Sequence, residues 1–226
     1  MSATSNLRDD YLAALLAGDA TRARWLIDEA LSGGIEVRAL YLEVLEPALE
    51  EIGDRWAAGE LTVAHEHYAT AVTQGILGVL APRMRVAPSS GRLAVVACTP
   101  GELHALGAQM VADFLEGEGW EVLALGAATP APDLAALVDD ERPDLVALST
   151  SVANNLEGAA ETVRQLRELA EPPFVAVGGR AWGALPAERR DALGADALFD
   201  DPRDLCGALA ERFPPVEDDD AAEAPA

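Results

Sequence analysis

The hydrophobic positions divide the chain into two differently patterned parts. From about Asn6 to Met84, apolar residues recur every three or four positions, which is typical of amphipathic helices. Glycines at 18, 33, 34 and 59 interrupt this pattern, and Thr62 is placed as a helix cap. The breaks predict four helices, over about 6–17, 20–31, 36–58 and 62–80. Because their connections are short, we expect a four-helix bundle over residues 6–84.

Residues 92–213 instead alternate short apolar runs with helical patterns. The predicted strands cover 92–98, 120–125, 144–149, 174–177 and 196–199. The predicted helices cover about 103–117, 131–139, 155–169, 186–192 and 202–212. The strands are continuous apolar runs, as expected when parallel strands are covered on both faces. This half therefore predicts a doubly wound, Rossmann-like α/β domain with a five-stranded parallel sheet.

Two segments show neither of these patterns. Residues 85–91 are rich in Pro, Ser and Gly and predict a linker between domains. Residues 214–226 combine Asp and Glu with Ala and Pro, a composition that predicts a disordered acidic tail.

Composition narrows the classes of function. The formal net charge of −23 argues against direct nucleic-acid binding, because phosphate contacts need clustered Lys and Arg. Cys98 and Cys206 are far apart and predict buried free thiols in a reducing compartment. We find no secretory signal and no apolar run of membrane-spanning length, so we expect a cytoplasmic protein without membrane contact.

Candidate chemistry begins with His104, which lies between the first predicted strand and its helix. In a parallel sheet that loop lies at the carboxyl edge, where ligands bind. The imidazole is suited to metal coordination, with Glu102 holding its second ring nitrogen. Alternatively, Thr99 and Glu102 have capping-box spacing, and Glu102 only begins the helix.

Small residues end two other strands at the same edge. Ser149 and Ser151 follow the third strand, and Gly178-Gly179 follows the fourth, where paired glycines permit close approach of a flat group. They can equally be ordinary strand-end caps and a tight turn. No dinucleotide or phosphate-binding glycine loop is present, and no nucleophile triad or carboxylate pair stands out, so we predict a protein that is not an enzyme.

These residues share the spacing of a known signature. The chain reads Glu102-x-His104-x-x-Gly107, then 41 residues to Ser149-x-Ser151, then 26 residues to Gly178-Gly179. This resembles the cobalamin-binding signature of base-off, His-on corrinoid proteins, written DxHxxG, SxL and GG. The chain departs from it with Glu for the leading Asp and Ser for the Leu.

The resemblance implies a role for each residue. His104 would be the lower axial ligand of cobalt, with Glu102 beside that loop. The slot for the displaced dimethylbenzimidazole tail would be lined by Ser149, Ser151, Gly178 and Gly179. Neutral imidazole is a good nitrogen donor to cobalt, and small residues admit a planar base.

The helical half resembles one family more narrowly. Trp56 is followed, after nine residues, by Glu66-His67, a pattern similar to that of the cobalamin-dependent photoreceptors of the CarH and LitR type. The resemblance covers residues 6–212. It implies that the bundle covers the upper face of adenosylcobalamin, that Trp56 packs there, and that Glu66 and His67 contact the adenosyl group and the corrin.

The chain departs from that family in two ways. Full-length members carry a MerR-like DNA-binding domain before the bundle, so we expect here a sensor half without that domain, acting through an oligomer or a protein partner. The position after the Trp, which supplies a cobalt-binding histidine in family members, is Ala57. A bis-histidine photoproduct then requires His65 or His67 to substitute.

The resemblance therefore implies a light sensor, in transcriptional control, that works by photolysis of the cobalt–carbon bond. The alternative is a corrinoid methyl carrier serving a methyltransferase. A third interpretation is a regulator that senses cobalamin without using light.

Overall fold

The computed structural model describes residues 3–183, 185 and 193–214. The chain divides into two compact units, a helical unit (Met1–Arg85) and a sheet unit (Val86–Ala226). The predicted helix at 186–192 and all of the predicted tail beyond Pro214 lie outside the described residues. No helix in the described part of the chain is long and apolar enough to cross a membrane.

The helical unit contains the four predicted helices. Its elements are α1 (Ala3–Leu16), α2 (Ala20–Ser32), α3 (Val37–Leu40), a π-helical turn (Tyr41–Leu45), α4 (Glu46–Ala57) and α5 (Val63–Leu80). The π-helical turn joins α3 to α4, so that residues 37–57 form the single helical stretch predicted at 36–58. Helix α5 begins directly after Thr62, the predicted cap.

The π-helical turn has a local cause in the sequence. The N–H of Glu46 donates to the carbonyl of Tyr41, five residues earlier. Pro47 has no N–H, and in a regular α-helix its ring would clash with the carbonyl of Glu43. The wider turn begins a new α-helical segment at Glu46, so Pro47 lies in its first turn, where a missing N–H costs little.

One buried hydrogen bond links two helices of the helical unit. The hydroxyl of Tyr11 on α1 lies 2.8 Å from Oγ1 of Thr73 on α5, and Thr73 in turn donates to the carbonyl of Ala69. Burial raises the pKa of Tyr11 to about 12, although its hydrogen bond to Thr73 opposes that shift. The phenol therefore stays neutral and links α1 to α5 within an otherwise apolar core.

The sheet unit has five parallel strands in the order β2-β1-β3-β4-β5. The strands are β1 (Leu93–Cys98), β2 (Glu121–Gly126), β3 (Leu145–Ser149), β4 (Phe174–Gly178) and β5 (Ala197–Phe199). The helices are α6 (Leu106–Gly117), α7 (Ala131–Glu141), α8 (Leu156–Arg167), α9 (Arg180–Gly183) and α10 (Pro202–Arg212). The predicted fold class, a helical bundle followed by a Rossmann-like five-stranded parallel sheet, is confirmed.

Alternate strand residues are buried on opposite faces of this sheet. On one face, Val95, Val146 and Val175 pack with residues of α7 and α8. Helices α6 and α10 contact each other, and α6 contacts β1 and β3, so they cover the other face. Both faces are thus buried, which explains why the strands read as continuous apolar runs.

Residues 86–91, within the predicted linker, pack against the turn between α6 and β2. The N–H of Ala87 donates to the carbonyl of Gly117, and that of Ser90 to the carbonyl of Gly119. Gly119 has a φ of +84°, and a Cβ there would lie 2.1 Å from the carbonyl oxygen of Pro88. This segment therefore belongs to the sheet unit, whose boundary falls between Arg85 and Val86.

In the helical unit, α1 begins at Ala3, three residues before its predicted start, and the π-helical turn was not predicted. In the sheet unit, two further elements differ from the prediction. Helix α6 begins at Leu106 instead of 103, because the preceding residues form a loop that holds Glu102. The short helix α9 was absent from the prediction and directly follows Gly179.

Candidate functional site

The loop from Thr99 to Ala105 carries His104 at the carboxyl edge of the sheet. Thr99 opens it, with its N–H donating to the carbonyl of Ser149 and its hydroxyl sharing a hydrogen bond with Thr150. The loop follows β1, which lies between β2 and β3 in the sheet. The chain moves from β1 to β2 on one side and then crosses back to β3 on the other, so the loop lies where the strand order reverses. Ligands of doubly wound sheets bind at this switch point.

The carboxylate of Glu102 is fully buried and joins two loops. Its Oε1 accepts from the N–H of His104 at 3.0 Å and lies 2.5 Å from Nδ1 of the same residue. Its Oε2 accepts from the N–H groups of Ser151 and Val152, at 2.8 and 2.9 Å, and from Nδ2 of Asn155 at 3.1 Å. The capping-box interpretation of Glu102 is therefore wrong, since α6 starts four residues later.

These hydrogen bonds keep Glu102 ionised. Burial alone would raise the pKa of the carboxyl, but the hydrogen bonds from His104, Val152 and Asn155 outweigh burial and hold the pKa below its ordinary value. An ionised carboxylate can only accept, so Nδ1 of His104 is the donor in this pair. In neutral His104 the lone pair then lies on Nε2, the nitrogen available to a metal.

The His104 side chain is 42% exposed, in contrast to the fully buried carboxylate that orients it. Its Nε2 makes no hydrogen bond with the part of the chain that the structure describes. The geometry is a fixed imidazole with one free nitrogen at the sheet edge, the arrangement that carboxylate–histidine–metal sites use.

Small residues end three neighbouring strands at this edge of the sheet, on the face covered by α6. Cys98, Ser149 and Gly178 are aligned across β1, β3 and β4 at the last position of each strand. Gly107 lies opposite them on α6, where an added Cβ would sit 3.8 Å from the Ser149 hydroxyl. The predicted residues Gly107 and Ser149 are thus brought together between α6 and β3.

The two glycines after β4 have a reason in the fold itself. A Cβ on Gly178 would lie 2.6 Å from the carbonyl oxygen of Phe199, and one on Gly179 would lie 2.6 Å from that of Thr150. Gly179 also has a φ of +102°, which side chains rarely adopt. Both positions therefore require glycine for close backbone approach, with or without a ligand.

Two residues of this edge, Val152 and Asn155, were not singled out from the sequence, and Cys98 was predicted only as a buried free thiol, which it is. Asn155 and Val152 bind the Glu102 carboxylate through a side-chain amide and a backbone N–H, as described above. Cys98 lies beneath the loop with Sγ 3.8 Å from the carbonyl oxygen of His104. Burial, followed by the nearby charge of Glu102, raises the pKa of Cys98 to about 12, so this thiol is a neutral core group.

In the helical unit, Glu66 and His67 form a second carboxylate–histidine pair. Oε2 of Glu66 lies 2.6 Å from Nδ1 of His67, and Oε1 accepts from the hydroxyl of Thr70 at 2.8 Å. The Glu66 side chain is largely buried, whereas that of His67 is 75% exposed. His67 therefore also presents Nε2 outward while a carboxylate holds Nδ1.

The other predicted residues of the helical unit are placed differently. Trp56 lies at the end of α4, 40% exposed, and no hydrogen bond or ring contact joins it to Glu66 or His67 among the described residues. Nδ1 of His65 accepts from the N–H of Thr62, so His65 serves the start of α5. Ala57 is exposed beside Trp56 and offers no ligand atom.

The fold and the site together define a ligand-binding α/β protein. It has a doubly wound strand order, a histidine oriented by a carboxylate at the switch point, and a helical bundle before the sheet. A family described as B12 binding domain matches residues 92–210, and a second of the same description matches residues 7–81. The chain belongs to the family of B12-binding domains.

Relatives of two kinds are similar to this chain in sequence. The HTH-type transcriptional repressor CarH of Myxococcus xanthus is 38% identical over 162 residues, covering 71% of this chain and 53% of the repressor. The trimethylamine corrinoid protein of Methanosarcina barkeri is 25% identical over 187 residues, covering 80% of this chain and 85% of that protein. This chain thus spans about half the length of the repressor.

A solved structure agrees on the fold. The monomethylamine corrinoid protein of Methanosarcina barkeri superimposes with a TM-score of 0.81 at 18% identity, covering 93% of this chain and all of that one.

The residues of the sheet unit fit a corrinoid. Among the described residues there is no group of three or more His, Cys, Asp and Glu side chains that could hold a bare metal ion. A cobalt already enclosed by a corrin ring needs only one axial nitrogen, and His104 presents one. Cobalamin binding is therefore supported by both the family and the site.

Proposed function

We propose that this protein is a light sensor that binds adenosylcobalamin with His104 as the lower cobalt ligand. The observation that carries the proposal is the buried Glu102 carboxylate, which holds Nδ1 of His104 and leaves Nε2 with a lone pair. The adenosyl form, the histidine-on state and the tail slot along Gly107, Ser149, Ser151, Gly178 and Gly179 are part of this proposal.

The helical unit supports the choice of the upper ligand. Its exposed Trp56 and preformed Glu66–His67 pair suit a bulky group that offers both a flat face and hydrogen-bonding atoms. When bound, adenosylcobalamin supplies a cobalt–carbon bond that light can break. In our proposal Trp56, Glu66 and His67 contact the adenosyl group, so its loss changes what these side chains touch.

The output we propose is regulation of a partner or an oligomer, in transcriptional control. The repressor CarH, 38% identical, supports this direction. The protein acts as a sensor and turns over no substrate, and its net charge of −23 favours action through another protein rather than direct nucleic-acid contact. A ligand that prefers one of two states shifts their populations without catalysis.

A methyl carrier is the second candidate, and a specific observation favours it. The trimethylamine corrinoid protein is matched along 85% of its length, which is more complete than the match to the repressor. In that case His104 would tune cobalt for methyl transfer within a methyltransferase system.

One experiment separates these candidates. The full chain is reconstituted with adenosylcobalamin in the dark, and its absorption spectrum and oligomeric state are recorded before and after green light. We expect both to change, and we expect His104→Ala to alter the dark spectrum, whereas His65→Ala leaves it unchanged. An unaltered spectrum and oligomer after illumination would end the light-sensor proposal. Methyl transfer from bound methylcobalamin to an added thiol would establish the carrier instead.

A further inference from the structure

The long helical stretch of the helical unit, residues 37–57, is interrupted at a defined place. The π-helical turn Tyr41–Leu45 ends where Glu46 donates to the carbonyl of Tyr41, and Pro47 contributes no donor. Backbone hydrogen bonding across residues 43–47 is therefore weaker than in a regular α-helix. Interruptions of this kind, a π-helical turn next to a proline, are where helices bend.

The two sides of this interruption are held very differently. On the amino side, Leu40, Tyr41, Val44 and Leu45 are all fully buried, and the Tyr41 hydroxyl donates to the carbonyl of Leu77 on α5. On the carboxyl side, only Ala48 and Ile52 of the twelve residues of α4 are buried. The half before the interruption has its large apolar side chains fully buried, whereas α4 contacts α1 and α5 with only two fully buried side chains.

The less anchored half ends in the exposed residue Trp56. Twelve residues of α-helix span about 18 Å, so a rotation of about 10° at Pro47 would move the far end by about 3 Å. The displacement is largest at Trp56 and Ala57 and close to zero at Tyr41.

From these observations we propose that Glu46 and Pro47 form a hinge, about which the rest of α4 reorients as a body while Val37–Leu45 stays fixed. The hinge is a property of the protein without cofactor. Its use in signalling rests on the proposed function, because a change in what Trp56 contacts would then be converted into a rotation of α4.

Residue-resolved amide hydrogen exchange of the cofactor-free full chain tests the hinge. Amides whose hydrogen bonds cross the hinge, at residues 46, 48 and 49, should exchange at least about tenfold faster than those at 44–45 and 51–53. This local minimum in protection distinguishes a hinge from fraying, in which protection falls steadily toward Ala57. A flat profile or a steady fall would overturn the proposal.

A proline variant sharpens the test. Pro47→Ala restores an N–H that can reach the carbonyl of Glu43, so exchange at 46, 48 and 49 should slow by at least about tenfold. Pro82→Ala, in the turn after α5, is the matched control and should leave these amides unchanged. Unchanged exchange in Pro47→Ala would overturn the hinge, and if that variant does not fold, the wild-type profile decides.

The signalling role is judged separately. In the dark, bound adenosylcobalamin should slow exchange of the amides at 46, 48 and 49 by at least about fivefold, and illumination should restore the cofactor-free rate. If light leaves the absorption spectrum unchanged, the proposed function fails, while the cofactor-free profile still decides the hinge. If the spectrum changes but exchange of the amides at 46, 48 and 49 does not, the hinge has no part in signalling.

Discussion

Replacing Glu102 by glutamine removes one charge from the centre of the candidate site while keeping its shape. Oε2 accepts three hydrogen bonds, from Ser151, Val152 and Asn155, whereas Oε1 faces two nitrogens of His104. The amide oxygen of the variant will therefore occupy the Oε2 position. Its NH2 group then faces the backbone N–H of His104, which loses its acceptor.

The cost of this change can be worked from these contacts. A buried N–H left without an acceptor costs about 1–3 kcal/mol, and each of three retained hydrogen bonds weakens by about 0.5–1 kcal/mol when its acceptor loses its charge. Allowing for local relaxation, Glu102→Gln should lower the free energy of unfolding of the sheet unit by about 3 kcal/mol. Because the chain has two units, urea unfolding should be followed by NMR at amides of β1 and β3.

The variant should also change the proton position on His104. Facing an NH2 donor, Nδ1 must become an acceptor, so the neutral ring carries its proton on Nε2 and loses the lone pair for cobalt. Imidazole ¹⁵N shifts report the tautomer directly, and absorption spectra of the reconstituted protein report the lower ligand. Glu116→Gln, an exposed change on α6, is the matched control.

Acid provides an independent way to remove the same charge. The pKa of Glu102 is lower in the folded protein than its ordinary value of 4.5, so the stabilisation is fully present above that value and is lost as the pH falls through the lower folded value. For the substitution, the refuting result is a Glu102→Gln protein in which His104 keeps its proton on Nδ1 and the free energy of unfolding stays within about 0.5 kcal/mol of the parent value.

Three further predictions concern Gly179, Asn155 and Cys98. Gly179→Ala should destabilise the sheet unit by at least about 2 kcal/mol in urea unfolding, because its Cβ would meet the Thr150 carbonyl oxygen at 2.6 Å with φ at +102°. Asn155→Ala should cost about 1–2 kcal/mol and speed amide exchange at Val152, since one of the donors to the buried Glu102 carboxylate is lost. Because the pKa of Cys98 is raised to about 12, its thiolate fraction at pH 8 is about a thousandfold lower than that of an ordinary cysteine. Alkylation of native Cys98, measured by mass spectrometry, should therefore be at least about a thousandfold slower than alkylation in denaturant.

Each of the two substitutions has a matched control within the chain. Gly207→Ala adds a methyl group on α10 with no atom within 4 Å and should leave stability unchanged or raised. Asn154→Ala alters the exposed neighbour of Asn155. Equal losses in the paired variants would contradict the assigned contacts, and rapid alkylation of native Cys98 would contradict its burial.

Most elements of the fold could be predicted because the periodicity of apolar residues agrees locally with the residues that begin and end helices and strands. The final helix was predicted at 202–212 and is observed at Pro202–Arg212, where Asp201 caps it and Pro202 begins it. Strand limits were within about a residue, because both faces of the sheet are covered and apolar runs stop where the strands stop. The π-helical turn was missed, although Pro47 inside a helical pattern was a visible signal for it.

The candidate site was less predictable. His104 could be placed at the sheet edge because a loop after a parallel strand must lie there. The capping-box alternative for Glu102 failed because its carboxylate reaches N–H groups about 50 residues away in the chain, and such pairings leave no local pattern. Asn155 was missed for the same reason. The paired glycines were expected to face a ligand, and a fold-imposed backbone approach explains them as well.

The packing of residues 86–91 on the α6–β2 turn has a practical consequence for dissecting the protein. Similarity to the B12-binding family begins at residue 92 in this half, and truncation there would strip the donors from the carbonyls of Gly117 and Gly119. It would also uncover the glycine backbone that Pro88 shields. An excised sheet domain should therefore start at Val86, six residues before the family similarity begins.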